Sequence, residues 1–371
     1  MKVLGIETSC DECAAAVVEN GRVLSNVVAT QIPVHAPYQG VVPELASRTH
    51  TVWIYGVVKE ALDRAGMTSA DVEGVAATAF PGLLGSLLVG LHFAKAFAWA
   101  RQLPFIAVDH LLAHLYAPRL AGANAETAAY PFLGLLVSGG HSVICRVENF
   151  DKVSVLGSTI DDAAGEAFDK IAKHYGMGYP GGPAIDALAR GGNADTFQFP
   201  LPNLYKTGKN GRNHRYDVSY SGLKTAVVNQ REQFRVKPRR ADRVTETYGA
   251  DTASKPYTDS KAEISESEKA DIAASFQKTA IDILFRAVVR AAEDTGLSTI
   301  VAGGGVAANS CLRARAAGYP QLRFIFPPLE YCGDNGAMVA GIGEQYLLSG
   351  ETSPFELSAS PRIKSLKRVY P

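Results

Sequence analysis

Two histidines four residues apart carry the first chemical signal in this chain: Asp109-His110-Leu111-Leu112-Ala113-His114. On a helix, side chains four apart lie one turn apart on the same face, with Cβ atoms roughly 5–6 Å from each other. That separation lets two neutral imidazoles grip one metal ion. With 8 His in 371 residues, such a pair also arises by coincidence. Its setting adds weight. Phe105-Ile-Ala-Val-Asp109 reads as a short buried strand, and the histidines open the segment directly after it. Open α/β sheets bind ligands beyond the carboxyl ends of their strands. A third ligand is on offer in Tyr331-Cys-Gly-Asp-Asn-Gly-Ala-Met338, where Asp334 stands at a helix start. The ordinary use of an aspartate there is to cap the helix. Beside His110 and His114 it would instead complete a two-His, one-carboxylate set, with positions open for substrate or water.

Glycine-rich turns recur at strand ends. Leu136-Val-Ser-Gly-Gly-His-Ser142 follows a strand and must turn sharply, and Tyr179-Pro-Gly-Gly-Pro-Ala-Ile-Asp186 precedes a short helix. Ala302-Gly-Gly-Gly-Val-Ala-Ala-Asn309 joins a strand to a helix. Such turns let backbone amides approach an anion closely, and a helix N-terminus adds to this. None matches the P-loop spacing, so the expectation is a nucleotide cleft of another kind. Asp162, Glu166 and Asp169, spaced i, i+4, i+7 in Thr159–Lys170, would share a helical face among small apolar residues and look into that cleft.

The elements that must position these groups repeat. Val3–Thr8, Cys13–Glu19 and Val23–Thr30 read as strands, with Asn20-Gly21 a type I′ hairpin turn. A loop over 33–40, a helix over 43–65, a strand over 72–78 and a helix over 83–101 lead to the strand before His110. The order then recurs: strands at 132–138, 142–147 and 153–158, helices between 163 and 294, a strand at 299–302, a helix at 309–317 and a strand at 322–326. A last helix covers 335–348. Each half reads β-β-β-α-β-α, a mixed sheet covered by helices, and the duplication implies two similar lobes facing across a cleft. Residues 1–129 form the first lobe, which the helix at about 333–350 rejoins; 130–332 form the second. Residues 235–267, polar with Arg235, Lys237, Arg239, Arg240 and Arg243, read as a surface insertion, with an RNA-phosphate contact as the sharper alternative. The tail over 351–371 is expected to be irregular.

Composition narrows the classes. Lys+Arg and Asp+Glu are both 37, so no global basic field announces nucleic acid, and such binding would need a local patch or a partner. Five scattered cysteines do not build a disulfide scaffold, and a reducing cytosol is expected. No signal-peptide pattern opens the chain, and the apolar run 83–100 carries His92 and Lys95 with helical periodicity, so a core helix is expected and no membrane span.

Several stretches now stand in the order of a known family: Gly5-Ile-Glu-Thr-Ser-Cys-Asp11, Gly40-Val-Val-Pro-Glu-Leu-Ala-Ser-Arg48, His110-x-x-x-His114, Leu136-Val-Ser-Gly-Gly-His141, Asp161-Asp-Ala-Ala-Gly-Glu-Ala-Phe-Asp-Lys170, Tyr179-Pro-Gly-Gly-Pro183, Ser221-Gly-Leu-Lys224 and Asp334-Asn-Gly-Ala-Met338. Over residues 1 to about 350 the chain resembles the bacterial tRNA N6-adenosine threonylcarbamoyltransferases, once called O-sialoglycoprotein endopeptidases. The resemblance implies an actin/Hsp70/sugar-kinase-like fold. It implies transfer of threonylcarbamoyl from L-threonylcarbamoyladenylate to N6 of adenosine 37 in tRNAs reading codons that begin with A, with release of AMP. His110, His114 and Asp334 match the metal ligands, for Fe2+ with Zn2+ as the alternative. Leu136, Val137, Ser138, Gly139, Gly140, His141, Asp169, Gly182, Asp186 and Asn309 match substrate-binding positions. A carbamoyl-adenylate is already an activated mixed anhydride, so no Ser or Cys nucleophile is needed. Asp11 and Glu12, at the first hairpin, are the candidates for handling the adenosine proton. Implied partners are tRNA, a shorter inactive paralogue docked through the N-terminal lobe, and a small P-loop ATPase. The rival readings are a small-molecule kinase of the same fold, a non-enzymatic scaffold, and a metalloprotease. Leu111 stands where H-E-x-x-H needs its glutamate.

Overall fold

A computed structural model describes residues 1–120, 127–150, 152–204, 214–235, 264–362 and 367–368. Strands β1 (Lys2–Glu7), β2 (Glu12–Glu19) and β3 (Arg22–Thr30) pair antiparallel. Asn20 and Gly21 turn the second hairpin with φ of 52° and 73°. Both values are positive, as a type I′ turn demands. Strands β4 (Gly74–Phe80) and β5 (Phe105–Asp109) add in parallel, giving the order β3-β2-β1-β4-β5. In the second half β6 (Phe132–Val137), β7 (Ser142–Asn149), β8 (Lys152–Ser158), β9 (Thr299–Gly303) and β10 (Arg323–Ile325) repeat that order, β8-β7-β6-β9-β10. The same topology in both halves is the duplication expected from the sequence, with a fifth strand closing each unit.

Helices cover both faces of both sheets. Helices α2 (Pro43–Arg64) and α3 (Leu84–Arg101) pack on the outer face of the first sheet with Leu4, Ile6, Val75 and Ala77. Helices α5 (Ala164–Tyr175) and α8 (Glu266–Thr295) lie on the second, with Leu133, Leu135 and Val137, and α6 (Gly181–Ala189) packs against both. Between the sheets sit α4 (His110–Tyr116) and α10 (Gly336–Leu348), whose buried faces join Val3, Val108, Leu136 and Val143 in one core. Strand alternation explains the sorting: neighbouring residues such as Leu136 and Val137 face opposite layers, and both layers are dry.

Four expectations change. The 33–40 stretch is not all loop. It contains the short helix α1 (Ile32–His35) with Pro33 in its first turn, where proline's missing N–H costs nothing. The proposed insertion at 235–267 is trimmed at both ends. Helix α7 runs Ser221–Arg235, and α8 begins at Glu266, capped by Ser265, whose hydroxyl accepts from Glu268 N at 3.2 Å. Polar composition hid that capping box. The rest of the insertion, with Lys237, Arg239, Arg240 and Arg243, lies outside the described residues. The tail is not wholly irregular, since Lys367–Arg368 pairs in parallel with β8. Helix α3 is not buried all round: Leu84, Leu88 and Trp99 are exposed, as are Val52 and Tyr55 on α2. None of the described helices is long and apolar enough to cross a membrane.

Candidate metal centre and its cleft

Helix α4 starts the moment β5 ends. Asp109 caps it, its Oδ1 accepting from Leu111 N at 2.8 Å and Leu112 N at 3.2 Å. The cap holds His110 and His114 against the sheet ends, where both rings are buried. Their centroids lie 4.6 Å apart at an interplanar angle of 81°. Asp334 arrives from the turn before α10, the helix that packs beside α4. Its Oδ1 is 3.1 Å from His114 Nε2 and 3.5 Å from His110 Nε2. Among the described residues this is the group whose ligand atoms, all within 4.8 Å of one another, could hold a metal ion.

Asp334 is free for that task because it does not cap α10. Asn335 does, its Oδ1 accepting from Met338 N at 2.9 Å while its Nδ2 donates to Gly333 O at 2.8 Å. The ordinary role that the sequence allowed for Asp334 thus belongs to its neighbour. Glu7, which the sequence reading did not single out, is fully buried, and its Oε2 accepts from His110 Nδ1 at 3.0 Å. In the sequence it stands as the acid that follows the apolar run Val3–Ile6, inside the Gly5–Asp11 stretch.

The charges fit a cation. Burial alone would depress the His110 imidazole, but the carboxylates of Asp334 and Glu7 outweigh it and raise its pKa to about 9. Burial would raise Asp334, yet the His110 charge and the His114 hydrogen bond hold it down at about 2. Two ionised carboxylates around two imidazoles call for positive charge, which protons supply in the metal-free protein and a divalent ion would supply in their place. Nearby His141 is lowered to about 4, first by burial and then by the charges of His110 and His114, so it stays a neutral imidazole. Glu12 is raised to about 10 by burial and by the charges of Asp334 and Asp11.

His110 and Asp334 open onto a cleft of about 840 Å³. Its walls include Asp11, Glu12, Ser138, Gly139, Gly140, His141, Asp169, Gly182, Asp186 and Asn309. His114 sits behind this wall. The turns between β1 and β2 (Ser9–Glu12) and between β6 and β7 (Ser138–His141) both face this cleft. Leu136 and Val137 do not line it: their side chains are buried in the two cores, and they carry the turn rather than touch a ligand. Within the turn, Ser138 N donates to His141 O at 2.8 Å and His141 N to Ser138 Oγ at 3.2 Å. Of the four amides of Ser138–His141, those of Ser138 and His141 are therefore already paired. Asn309 is likewise committed, capping α9 (Ser310–Ala317) through Leu312 N at 3.0 Å and donating to Gln277 Oε1 at 3.0 Å. Asp186 accepts from Ser310 Oγ at 2.7 Å, and Asp169 accepts from Gly181 N at 2.7 Å. Burial raises the Asp169 pKa above its ordinary value. The acidic face expected around Asp162 is divided: Glu166 and Asp169 line the cleft, but Asp162 precedes α5 and is ion-paired with Lys170 and Lys224, each at 2.6 Å.

Comparison with known proteins follows the same lines. Two solved structures of HypF share the fold: the T. kodakarensis protein, with a TM-score of 0.57, 16% identity and 94% of this chain matched to 48% of that one, and a full-length HypF in a phosphate- and nucleotide-bound form, with a TM-score of 0.55, 12% identity and 95% matched to 47%. The fold is of the actin/Hsp70/sugar-kinase type. Proteins called tRNA N6-adenosine threonylcarbamoyltransferase are 54% identical in Treponema denticola, across 99% of both chains, and 46% identical in Borreliella burgdorferi (strain ZS7), across 100% of this chain and 96% of the other. The family model described as TsaD, tRNA N6-adenosine threonylcarbamoyltransferase, matches residues 22–341. With its duplicated sheets and its His-His-Asp centre at the cleft, the chain belongs to the tRNA N6-adenosine threonylcarbamoyltransferase family.

Proposed function

We propose that this protein transfers threonylcarbamoyl from L-threonylcarbamoyladenylate to N6 of adenosine 37 in tRNAs reading codons that begin with A. The observation that carries the reading is the convergence of His110, His114 and Asp334 at the wall of a cleft large enough for a nucleotide. In the transfer, a bond forms between N6 and the carbamoyl carbon, the bond from that carbon to the phosphate oxygen breaks, the amine proton passes to an acceptor, and AMP leaves. His110, His114 and Asp334 would hold one divalent ion, Fe2+ with Zn2+ as the alternative, and such an ion supplies Lewis acidity to the carbonyl and to the charge on the leaving phosphate. The turn at Ser138–His141 borders the space for the adenylate, and Asp169, Gly182, Asp186 and Asn309 border it from the second sheet's side. Asp11 is the candidate acceptor of the amine proton. Glu12 beside it, which retains its own proton to about pH 10 in the metal-free protein, is suited to donate a hydrogen bond.

The lobes are taken as 1–129 and 130–332, and the packing of α10 on β1, β2 and β4 supports its return to the first. A shorter inactive paralogue docking on the N-terminal lobe is supported by the exposed Val52, Tyr55, Leu88 and Trp99. A small P-loop ATPase and a separate synthase for the adenylate complete the expected set, in the cytoplasm.

The test supplies the purified protein with helpers, adenylate and unmodified tRNA, and analyses digested nucleosides by mass spectrometry. His110→Ala should abolish threonylcarbamoyladenosine and lower metal content. Equal product from the variant refutes the metal assignment; no product from the wild type refutes the function.

A further inference from the structure

The end of β1 carries a buried acid that the transfer itself does not use. Strand alternation places Glu7 on the face shared by Val3 and Gly5, toward α10, rather than on the face of Leu4 and Ile6. The carboxylate has no exposure and accepts three hydrogen bonds: Ser9 N to Oε1 at 2.5 Å, Thr78 Oγ1 to Oε2 at 2.5 Å, and His110 Nδ1 to Oε2 at 3.0 Å. Its partners come from the ends of β1, β4 and β5, which are adjacent in the sheet. A buried carboxylate persists only when its acceptor sites are filled by such donors. Ser9 Oγ also lies 3.2 Å from His110 Nδ1, farther than Glu7. A carboxylate cannot donate, so the contact with Glu7 requires the proton to be on Nδ1. That leaves Nε2 of His110, the nitrogen directed to Asp334, free of the need to carry one.

We propose that Glu7 is a positioning residue that fixes the ring orientation and proton placement of His110, so that Nε2 alone is presented to the metal. The inference rests on the metal reading of the preceding section. It assigns to the Gly5-Ile-Glu-Thr-Ser stretch a role in preparing the centre. A glutamine at position 7 is almost the same shape but carries one acceptor end and one donor end. If its NH2 group faces His110, Nδ1 must accept and the ring proton moves to Nε2, where it blocks the metal. If its NH2 group faces Ser9 N, two donors oppose each other in a dry site. The first arrangement pairs both sides but closes Nε2 to the metal, and the second leaves two donors opposed, whereas the carboxylate accepts from all three donors with Nε2 left open.

The test titrates metal-stripped full-length protein with Zn2+ against a chromophoric chelator. Outer-shell partners of metal-bound histidines are typically worth 10–100-fold in affinity, and Glu7→Gln should fall by about that factor. Ser9→Ala and Thr78→Val should stay within about threefold, because the Glu7–His110 bond survives in both. His110→Ala sets the baseline. If it binds Zn2+ as well as the wild type does, the metal reading fails. If it does not, but Glu7→Gln binds within about threefold of the wild type, the orientation proposal alone fails. A loss in Ser9→Ala as large as that in Glu7→Gln would also overturn it, assigning the orienting role to the serine. A measurement on the wild type guards against misfolding of the variants. In Zn2+-loaded protein labelled with 15N-histidine, the His110 signal, assigned by its loss in His110→Ala, should show a protonated Nδ1; a bare or metal-bound Nδ1 overturns the proposal.

Discussion

Asn335→Ala separates the cap of α10 from the metal ligand beside it. In the wild type Asn335 is 1% exposed, its Oδ1 accepts from Met338 N at 2.9 Å, and its Nδ2 donates to Gly333 O at 2.8 Å and, more weakly, to Tyr331 O at 3.4 Å. Removing a cap of this kind costs about 1 kcal/mol, within a range of about 0.5–2. Gly333 is exposed, so water can take the place of the lost donor at its carbonyl, and that loss adds little to the cost. The expected loss is therefore about 0.5–2 kcal/mol, or roughly 2- to 30-fold in the folding equilibrium. Urea unfolding of the metal-free protein, followed by far-UV circular dichroism, reads it. Because the same side chain holds the turn that delivers Asp334, Zn2+ affinity should fall as well, by about tenfold. Asn335→Asp should recover much of the cap, since a carboxylate accepts from Met338 N, but it cannot donate to Gly333 O and it places a second acid next to Asp334. An unfolding free energy of Asn335→Ala within about 0.5 kcal/mol of the wild type would refute the assignment of the cap to Asn335.

Three further outcomes follow from the charges and from one close contact. The raised pKa of His110, about 9, means its stabilisation of the metal-free protein is complete below the ordinary value of 6.5 and is lost as the pH rises through 9. The lowered pKa of Asp334, about 2, means its contribution is present above the ordinary 3.8 and is lost as the pH falls toward 2. Stability from this pair should therefore peak between pH 3.8 and 6.5. Zn2+ affinity should instead climb about tenfold per pH unit up to about 9, as His110 gives up a proton to bind; a flat chelator-competition profile between pH 6 and 9 would contradict the protonated histidine. Gly165→Ala would put a methyl 2.7 Å from Gly139 Cα and 2.8 Å from Ser138 O, forcing the cleft turn to move. Such overpacking should cost about 1–3 kcal/mol of folding free energy, and displacement of the turn should raise the KM for the adenylate; an unchanged KM would show that the turn does not touch the donor.

Much of the architecture was legible in the sequence because it rests on local periodicity. Alternating runs ended by Asn20-Gly21 define a hairpin whose positive φ values few other pairs adopt. Repetition of the same order of strands and helices made the duplication visible without any three-dimensional information. The errors have local causes as well. Ser265-x-x-Glu268 is a capping box, but its polar surroundings read as insertion. Asp162 has the right helical spacing from Glu166, yet it precedes the helix and is taken up by Lys170 and Lys224. Leu136 and Val137 lie in a motif that borders the cleft, but a strand covered on both faces buries both side chains.

The residue types of the centre, and the spacing of His110 and His114 on one helical face, are determined by the chain itself, since four residues make one turn wherever the helix lies. The choice of Asp334 over its neighbour as the third ligand is tertiary. Asp334 and Asn335 are both able to cap a helix, and only the packing of α10 between the sheets decides that Asn335 turns to Met338 N while Asp334 meets histidines some 220 residues away in the chain. Glu7 shows the same limit. Its alternation on β1 could be read from sequence, but its bond to His110 depends on β1, β4 and β5 ending side by side. Helical and strand periods are properties of a few consecutive peptide units. Hydrogen bonds between distant residues exist only after the core has brought their backbones together.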